Sequence, residues 1–588
     1  MSKEFLALYH DELQTFRRRA TTFSQKHPEA AAKLRLADGL ANDPHVERLI
    51  ESFAFTAARI RHKLEDSFPE LSAGLLDALY PHLLAPQPSM SLVSLCPAPD
   101  LNIVQHVPRG LQLLSNTIHG DQCRFRTTQA VDIIPAKIAS VRYETNFQAP
   151  SSFTTAQAAL IITLAPLKRE GNLGIAGLKT TRFHLSGAWD QASLLYMRLF
   201  TNCIGLKLSD PEGTTKPLIL SQDHIRPAGF HDDESLLPAS ANFNAGFRLL
   251  SEFFALKRKF LFFDVDGFEN WRGKAPQLTI YFNRQDSTLQ KQLSPDSVTL
   301  NTTPVINLFR QRCEPIHVSS RREQYALVPD YRFRKSRKIH SVDHVSALSG
   351  NEPVVICHPV YHAQATHSTD NLFWQLVRDP CADEEEDCRI SFSGSALDTN
   401  KQFVTRIEAL CTNGIMPTQL PYNTGNLQLL PASPHSAITS ARCLMPFTPP
   451  VSQPFSGDQL WKFIAHLRLS HLSAGSDSGK SLRDILYLYR KGDDADGHKF
   501  IESIQNISPC PSMCRIRQGG FAAATDFHIR FSANSLNPAE IFLFTTVLNR
   551  FLSLYTSVNS LSRVTAWLEN LSTPVVRFPF HPCVRDAV

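Results

Sequence analysis

Two aspartates two residues apart, Asp264 and Asp266 in "KFLFFDVDGF", are the sharpest chemical signal in the 588-residue sequence. They follow the apolar run Phe260 to Phe263, as a nucleophilic carboxylate and a general acid would at the end of a strand in a phosphohydrolase. "GDDADG", Gly492 to Gly497, offers acids for a magnesium ion. Against this chemistry, Phe268 stands where such a motif carries threonine, the two clusters lie far apart, and no alternating βα pattern supplies a parallel sheet. An Asp/Gly turn closing a strand accounts for the same residues. "GSDSGKS", Gly475 to Ser481, is one residue short of a phosphate-binding loop, has Ala474 in place of the first glycine, and reads as a turn between two helices.

Metal-ligand patterns are equally thin. Cys510 and Cys514 supply two zinc ligands where a structural site needs four, and no second pair has a fitting spacing. His45 and His62 fall within one helical stretch, roughly 25 Å apart and on different faces, so they cannot share an ion there. No metal, cofactor or catalytic residue is expected. The basic segment "RREQYALVPDYRFRKSRK", Arg321 to Lys338, interleaves aromatics as a nucleic-acid groove would, yet the net charge of +5 gives it no support elsewhere. A solvated or partner-facing loop is the simpler reading, without nucleic acid.

Hydrophobic residues at 43% and charged residues at 20% match ordinary globular usage, and the length predicts several domains. Twelve irregularly spaced cysteines read as inert thiols of a reducing compartment. The acidic start "MSKEFLALYHDELQ" differs from a signal peptide, and no run approaches the ~20 apolar residues of a membrane span, so no direct membrane insertion is expected. Proline (38) outnumbers glycine (25), which suits strand edges and rigid connections.

These compositional limits frame an α+β chain in four parts: a helical bundle segment at 1–90, a β-rich domain at 91–310, a second at 311–455, and a mixed region at 456–588. Short β-branched and aromatic runs such as "MSLVSLCPAP", "CRFRTTQAVDII", "AALIITLAPL", "LLYMRLF" and "QLTIYFN" predict mainly antiparallel, sandwich-like sheet, with a helix near Phe247 to Lys259. Helices return at "LWKFIAHLRLSHL", "SLRDILYLYRK" and "NPAEIFLFTTVLNRFLSLYTSV". The last opens with Asn537, Pro538 and Glu540 in a capping-box arrangement and is apolar almost all round, so it must be buried.

In the first helix Leu6, Tyr9, Leu13, Phe16, Ala20 and Phe23 alternate spacings of three and four. In the second, capped by Asp43 and opened by Pro44, Val46, Ile50, Phe53, Ala57, Ile60 and Leu64 do the same. Sustained heptads predict bundle packing along these seams, with Phe55 almost opposite as a second, outer contact. Leu6, Tyr9, Leu13, Phe16, Phe23, Val46, Ile50, Phe53, Phe55, Ile60 and Leu64 are therefore the candidate partner-binding residues.

The ordered combination "DPHVERL…FAF…ARI…KL…FPEL…LYPH…P.PSM" resembles the TssF family of bacterial type VI secretion baseplates. "FRLLSEFFALKRKFLFFDVDGF", "NLFRQRCEPIHVSSRREQYALVPDYR" and "EIFLFTTVLNRFLSLYTSVNSLSR" extend the likeness, which weakens between about Thr145 and Phe243 and between Cys381 and Pro450. It implies a structural, non-catalytic, cytoplasmic protein at the inner face of the cell envelope. Two TssF copies would join one TssG in a wedge, with TssK, TssE and the VgrG spike and Hcp tube as neighbours. The alternative is a haloacid-dehalogenase-like magnesium phosphohydrolase using Asp264 and Asp266.

Overall fold

The computed structural model describes residues 3–33, 36–37, 40–41, 44–65, 74–76, 81–168, 171–211, 213, 215–238, 245–319, 322–348, 354–360, 372–378, 388–394, 403–422, 426–430, 437–451, 460–462, 478–490, 492, 495–515, 519–533, 535–555 and 560–582. Two compact units emerge: Met1–Leu84 with Pro454–Arg468, and Ala85–Gln453 with Leu469–Val588.

The first unit is built on α1 (Lys3–Lys26), α2 (Pro28–Lys33) and α3 (Pro44–Glu65), with a small β pair, Leu36–Ala37 against Leu40–Ala41, between the last two. Pro28 and Pro44 each open a helix, where a missing N–H costs no hydrogen bond. The expected cap Asp43 lies outside the described residues. So does most of the helix expected from Leu460 to Leu472, although residues 460–462 are helical and Leu460 is buried.

In the second unit antiparallel pairing dominates, as the α+β reading expected. A closed barrel runs Thr302–Ile306, Met90–Pro97, Ile438–Cys443, Asn426–Leu429, Gln112–Ile118 and Asp121–Thr127. Two of its strands come from the far side of the expected boundary at 311, so the barrel core joins Val93, Leu113 and Phe125 to Leu427, Ala441 and Phe447. A larger sheet around Lys338–Leu348 and Phe403–Thr412 closes over its own core of Ile339, Val345, Ile390 and Ile407.

One stretch departs from expectation. "LLYMRLF" was read as strand, but it lies within helix α4 (Trp189–Thr201). Ala192, Leu195, Tyr196 and Leu199 recur at helical spacing and are buried, so tertiary packing selects the helical period from an ambiguous apolar run. Tyr196 packs on Phe542 of the C-terminal helix.

The longer helices that follow are α5 (Ala245–Leu256), α6 (Ser478–Tyr489), α7 (Ala495–Glu502) and α8 (Pro538–Leu552). α8 has the expected capping box: Asn537 Oδ1 accepts from Glu540 N at 2.8 Å, and Glu540 Oε2 accepts from Asn537 N at 3.1 Å. It connects the parallel strands Phe521–Phe531 and Leu561–Leu568 and is buried around most of its circumference. Phe544 meets Phe253 of α5 and Phe500 of α7, at 5.3 Å each between centroids. The all-round apolar helix is thus satisfied within its own unit.

Candidate partner-binding surface

α1 and α3 lie side by side; Leu13 and Tyr9 of the expected α1 seam turn inward, whereas Phe53 and Ile60 of the expected α3 seam turn outward. Of α1's candidates, Leu13 is buried, Tyr9 and Phe16 are half-buried, and Leu6 and Phe23 are exposed. On α3 the fully buried residues are Ala54 and Ala58. At about 100° per residue, these lie roughly a quarter turn from the Val46–Ile50–Phe53–Leu64 stripe. Two alanines let the axes approach where larger side chains would hold them apart.

Phe55, expected as a second, outer contact, is 38% exposed yet also meets the neighbouring helix. Its ring stands edge-on to Phe5 (centroids 5.3 Å) and near Tyr9 (6.4 Å), so it packs on α1. Arg17 pairs with Glu47 at 2.6 Å, and Arg61 pairs with Asp11 at 2.7 Å and Glu12 at 3.0 Å, locking the same face. Such solvated pairs contribute little energy but favour one rotation of the helix over another.

The consequence is an outward apolar stripe. Phe53 and Ile60 are 63% and 58% exposed, and Leu49, which the heptad missed, is 58% exposed. Val46 and Ile50 are half-buried at its border, while the Leu64 side chain lies outside the described residues. Leu49 stands four residues before Phe53 and eleven before Ile60, a spacing that keeps all three within about 40° around the axis. Its signal was legible, but it sat one column outside the chosen repeat. Large apolar side chains aligned on one exposed face are characteristic of surfaces that another chain covers.

The aspartate pair is arranged differently from a phosphoryl-transfer centre. Strand Phe262–Asp266 runs antiparallel between Thr180–Leu185 and Ile225–Ala228. Asp264 accepts from Arg182 Nε at 2.7 Å and from its Nη2 at 2.8 Å. Asp266 accepts from Thr180 Oγ1 at 2.7 Å and pairs with Arg226. Burial alone would lower the Arg182 pKa, yet Asp264 and Glu234 together raise it, so these ionic contacts favour the charged guanidinium. Of "GDDADG", Asp496 pairs with Lys257 at 2.6 Å, and residues 493–494 lie outside the described residues, as do 475–477 of the phosphate-loop look-alike. Ser478–Ser481 instead open α6, where a side chain on Gly479 would strike the Gln505 carbonyl.

The basic segment is partly structural. Arg337, 5% exposed, donates to both Asp121 oxygens and to Asp330, and lies 4.1 Å over the Phe333 ring. Cys510 and Cys514 are half-buried on the strand Ile504–Arg515, and among the described residues no cluster of three or more metal-ligating side chains occurs. No helix among the described residues is long and apolar enough to cross a membrane.

A β-rich body whose acidic pairs are tied into ion pairs, together with a helical unit that turns large apolar residues outward, defines a subunit of a larger protein assembly. The chain belongs to the TssF family: the family described as "Type VI secretion system, TssF" matches residues 1–585. A type VI secretion system component TssF1 of Pseudomonas aeruginosa is 29% identical over 602 residues, 95% of this chain and 96% of the relative. The fold is shared with a chain of a TssK-TssF-TssG baseplate subcomplex solved by cryo-electron microscopy, with TM-score 0.74, 24% identity and coverage of 91% of this chain and 98% of that one. It is also shared with a chain of a type VI baseplate complex, with TM-score 0.64, 23% identity and coverage of 98% and 99%.

Proposed function

We propose that this chain is a non-catalytic wedge subunit of the type VI secretion baseplate, acting in the cytoplasm at the inner face of the envelope. Its outward stripe of Leu49, Phe53 and Ile60 packs against TssG or a second copy of this chain. That stripe is the observation that carries the reading: three large apolar side chains on one face of α3, in a chain of the TssF family, leave apolar area for a partner to cover. The candidates on α1 with exposed rings or branches, Leu6 and Phe23, extend the surface available to the same partners. TssK joins through the same wedge, and TssE and the VgrG spike with its Hcp tube are neighbours in the assembled baseplate.

Co-expression with the cognate TssG and TssK, followed by size-exclusion chromatography with mass measurement, tests this. A complex holding two copies of this chain per TssG is expected. Elution of this chain alone beside a folded TssG would refute the reading. Magnesium-dependent turnover of p-nitrophenyl phosphate, lost in Asp264→Asn, would instead support the phosphohydrolase alternative.

A further inference from the structure

The second unit holds a cavity of about 970 Å³ with a mainly apolar wall. Tyr196 of α4, Leu249 of α5, Phe542 of α8, Phe230 and the strap 574–582 surround it. At its wall, the Arg550 guanidinium lies 3.8 Å from the centroid of Phe230 and makes no ion pair among the described residues. The neighbouring acids are already engaged. Glu234 pairs with Arg182 at 2.7 Å, and Asp232, itself at the cavity wall, pairs with Arg248 at 2.9 Å. Burial lowers the Arg550 pKa, with Tyr196 and Glu234 opposing and Arg248 adding to the fall.

Arg577, on the same wall, lies 3.7 Å from Asp526, which Arg563 already holds at 2.7 Å. Arg550 is thus the cation of this apolar cavity without a carboxylate partner among the described residues, while Arg577 shares Asp526 with Arg563. Val576–Arg577 is also the end strand of its sheet among the described residues, a position where an extended chain can lie alongside.

From these juxtaposed groups we infer that the cavity receives an extended acidic segment of a partner protein, an aromatic or branched apolar side chain filling the pocket and an adjacent carboxylate pairing with Arg550. The apolar side chain rests on Phe230 and Phe542. This contact is separate from the α3 stripe and does not depend on which chain covers that stripe.

The test is isothermal titration of the full chain with acetyl-Gly-Phe-Asp-Gly-amide and with its asparagine counterpart. The aspartate peptide is expected to bind at least about tenfold more tightly. Arg550→Gln should erase the difference, Arg550→Lys should keep part of it, and Thr546→Trp should block both peptides from the cavity wall. Phe53→Asp should leave the titration unchanged, which separates this contact from the stripe. Near-identical affinities for the two peptides, discrimination retained in a folded Arg550→Gln, or no binding at about 1 mM peptide would overturn the assignment. Phenylacetate binding without peptide binding would also overturn it, by assigning the cavity to a small organic acid.

Discussion

Phe53→Asp separates folding from assembly because the side chain stands 63% exposed in the isolated chain. A phenylalanine carries on the order of 200 Å² of burial area, so about 130 Å² remains for a partner to cover. At ~25 cal/mol per Å² this is about 3 kcal/mol, roughly two orders of magnitude in Kd, before any cost of burying an unpaired carboxylate. The same change in the free chain touches solvent and should shift unfolding by no more than about 0.5 kcal/mol. Ala54→Asp, at a position with no exposure, should do the reverse: it separates α1 from α3 and lowers the helical signal before any partner is added. The assay is titration of labelled chain against TssG, with circular dichroism melts of each variant. A folded Phe53→Asp that binds within twofold of the parent, or an Ala54→Asp that melts normally, would refute the reasoning.

Arg337→Ala should destabilise the second unit by about 3–5 kcal/mol in denaturant unfolding, because Asp121, 5% exposed, would keep its charge without its partner. His184, 1% exposed, has its pKa lowered from 6.5 to about 3 by burial, so the unfolded chain takes up the proton first. Stability from this group is therefore complete above pH 6.5 and declines at about 1.4 kcal/mol per unit below it, about 2 kcal/mol by pH 5. His184→Gln should remove that part of the slope in unfolding curves measured between pH 7 and 5, and an unchanged slope would show that His184 does not carry it.

Much of the local structure was legible. Asn537, Pro538 and Glu540 announced the start of α8, and its ring of apolar residues required burial, because both are properties of neighbouring residues on one helix. The run "LLYMRLF" was not decidable in the same way, since a short apolar stretch fits strand and helix alike until Phe542 packs on Tyr196. Asp264 was legible as a strand end, but its partner Arg182 is 82 residues away, and Arg337 reaches Asp121 across 216. The closing strands of the barrel are likewise remote from the strands they join.

On α3 the amino-acid order by itself determined the helix, its proline start and two apolar stripes, because side-chain direction follows from the helical repeat. Which stripe turns inward was decided only by the tertiary structure. Ala54 and Ala58 admit close approach, Phe55 finds Phe5 and Tyr9, and Arg61 reaches Asp11 and Glu12. A single helix cannot express that choice, because its energy depends on the shape and charge of the neighbour. The heptad stripe of Phe53 and Ile60 is therefore left facing outward, with Leu49 beside it.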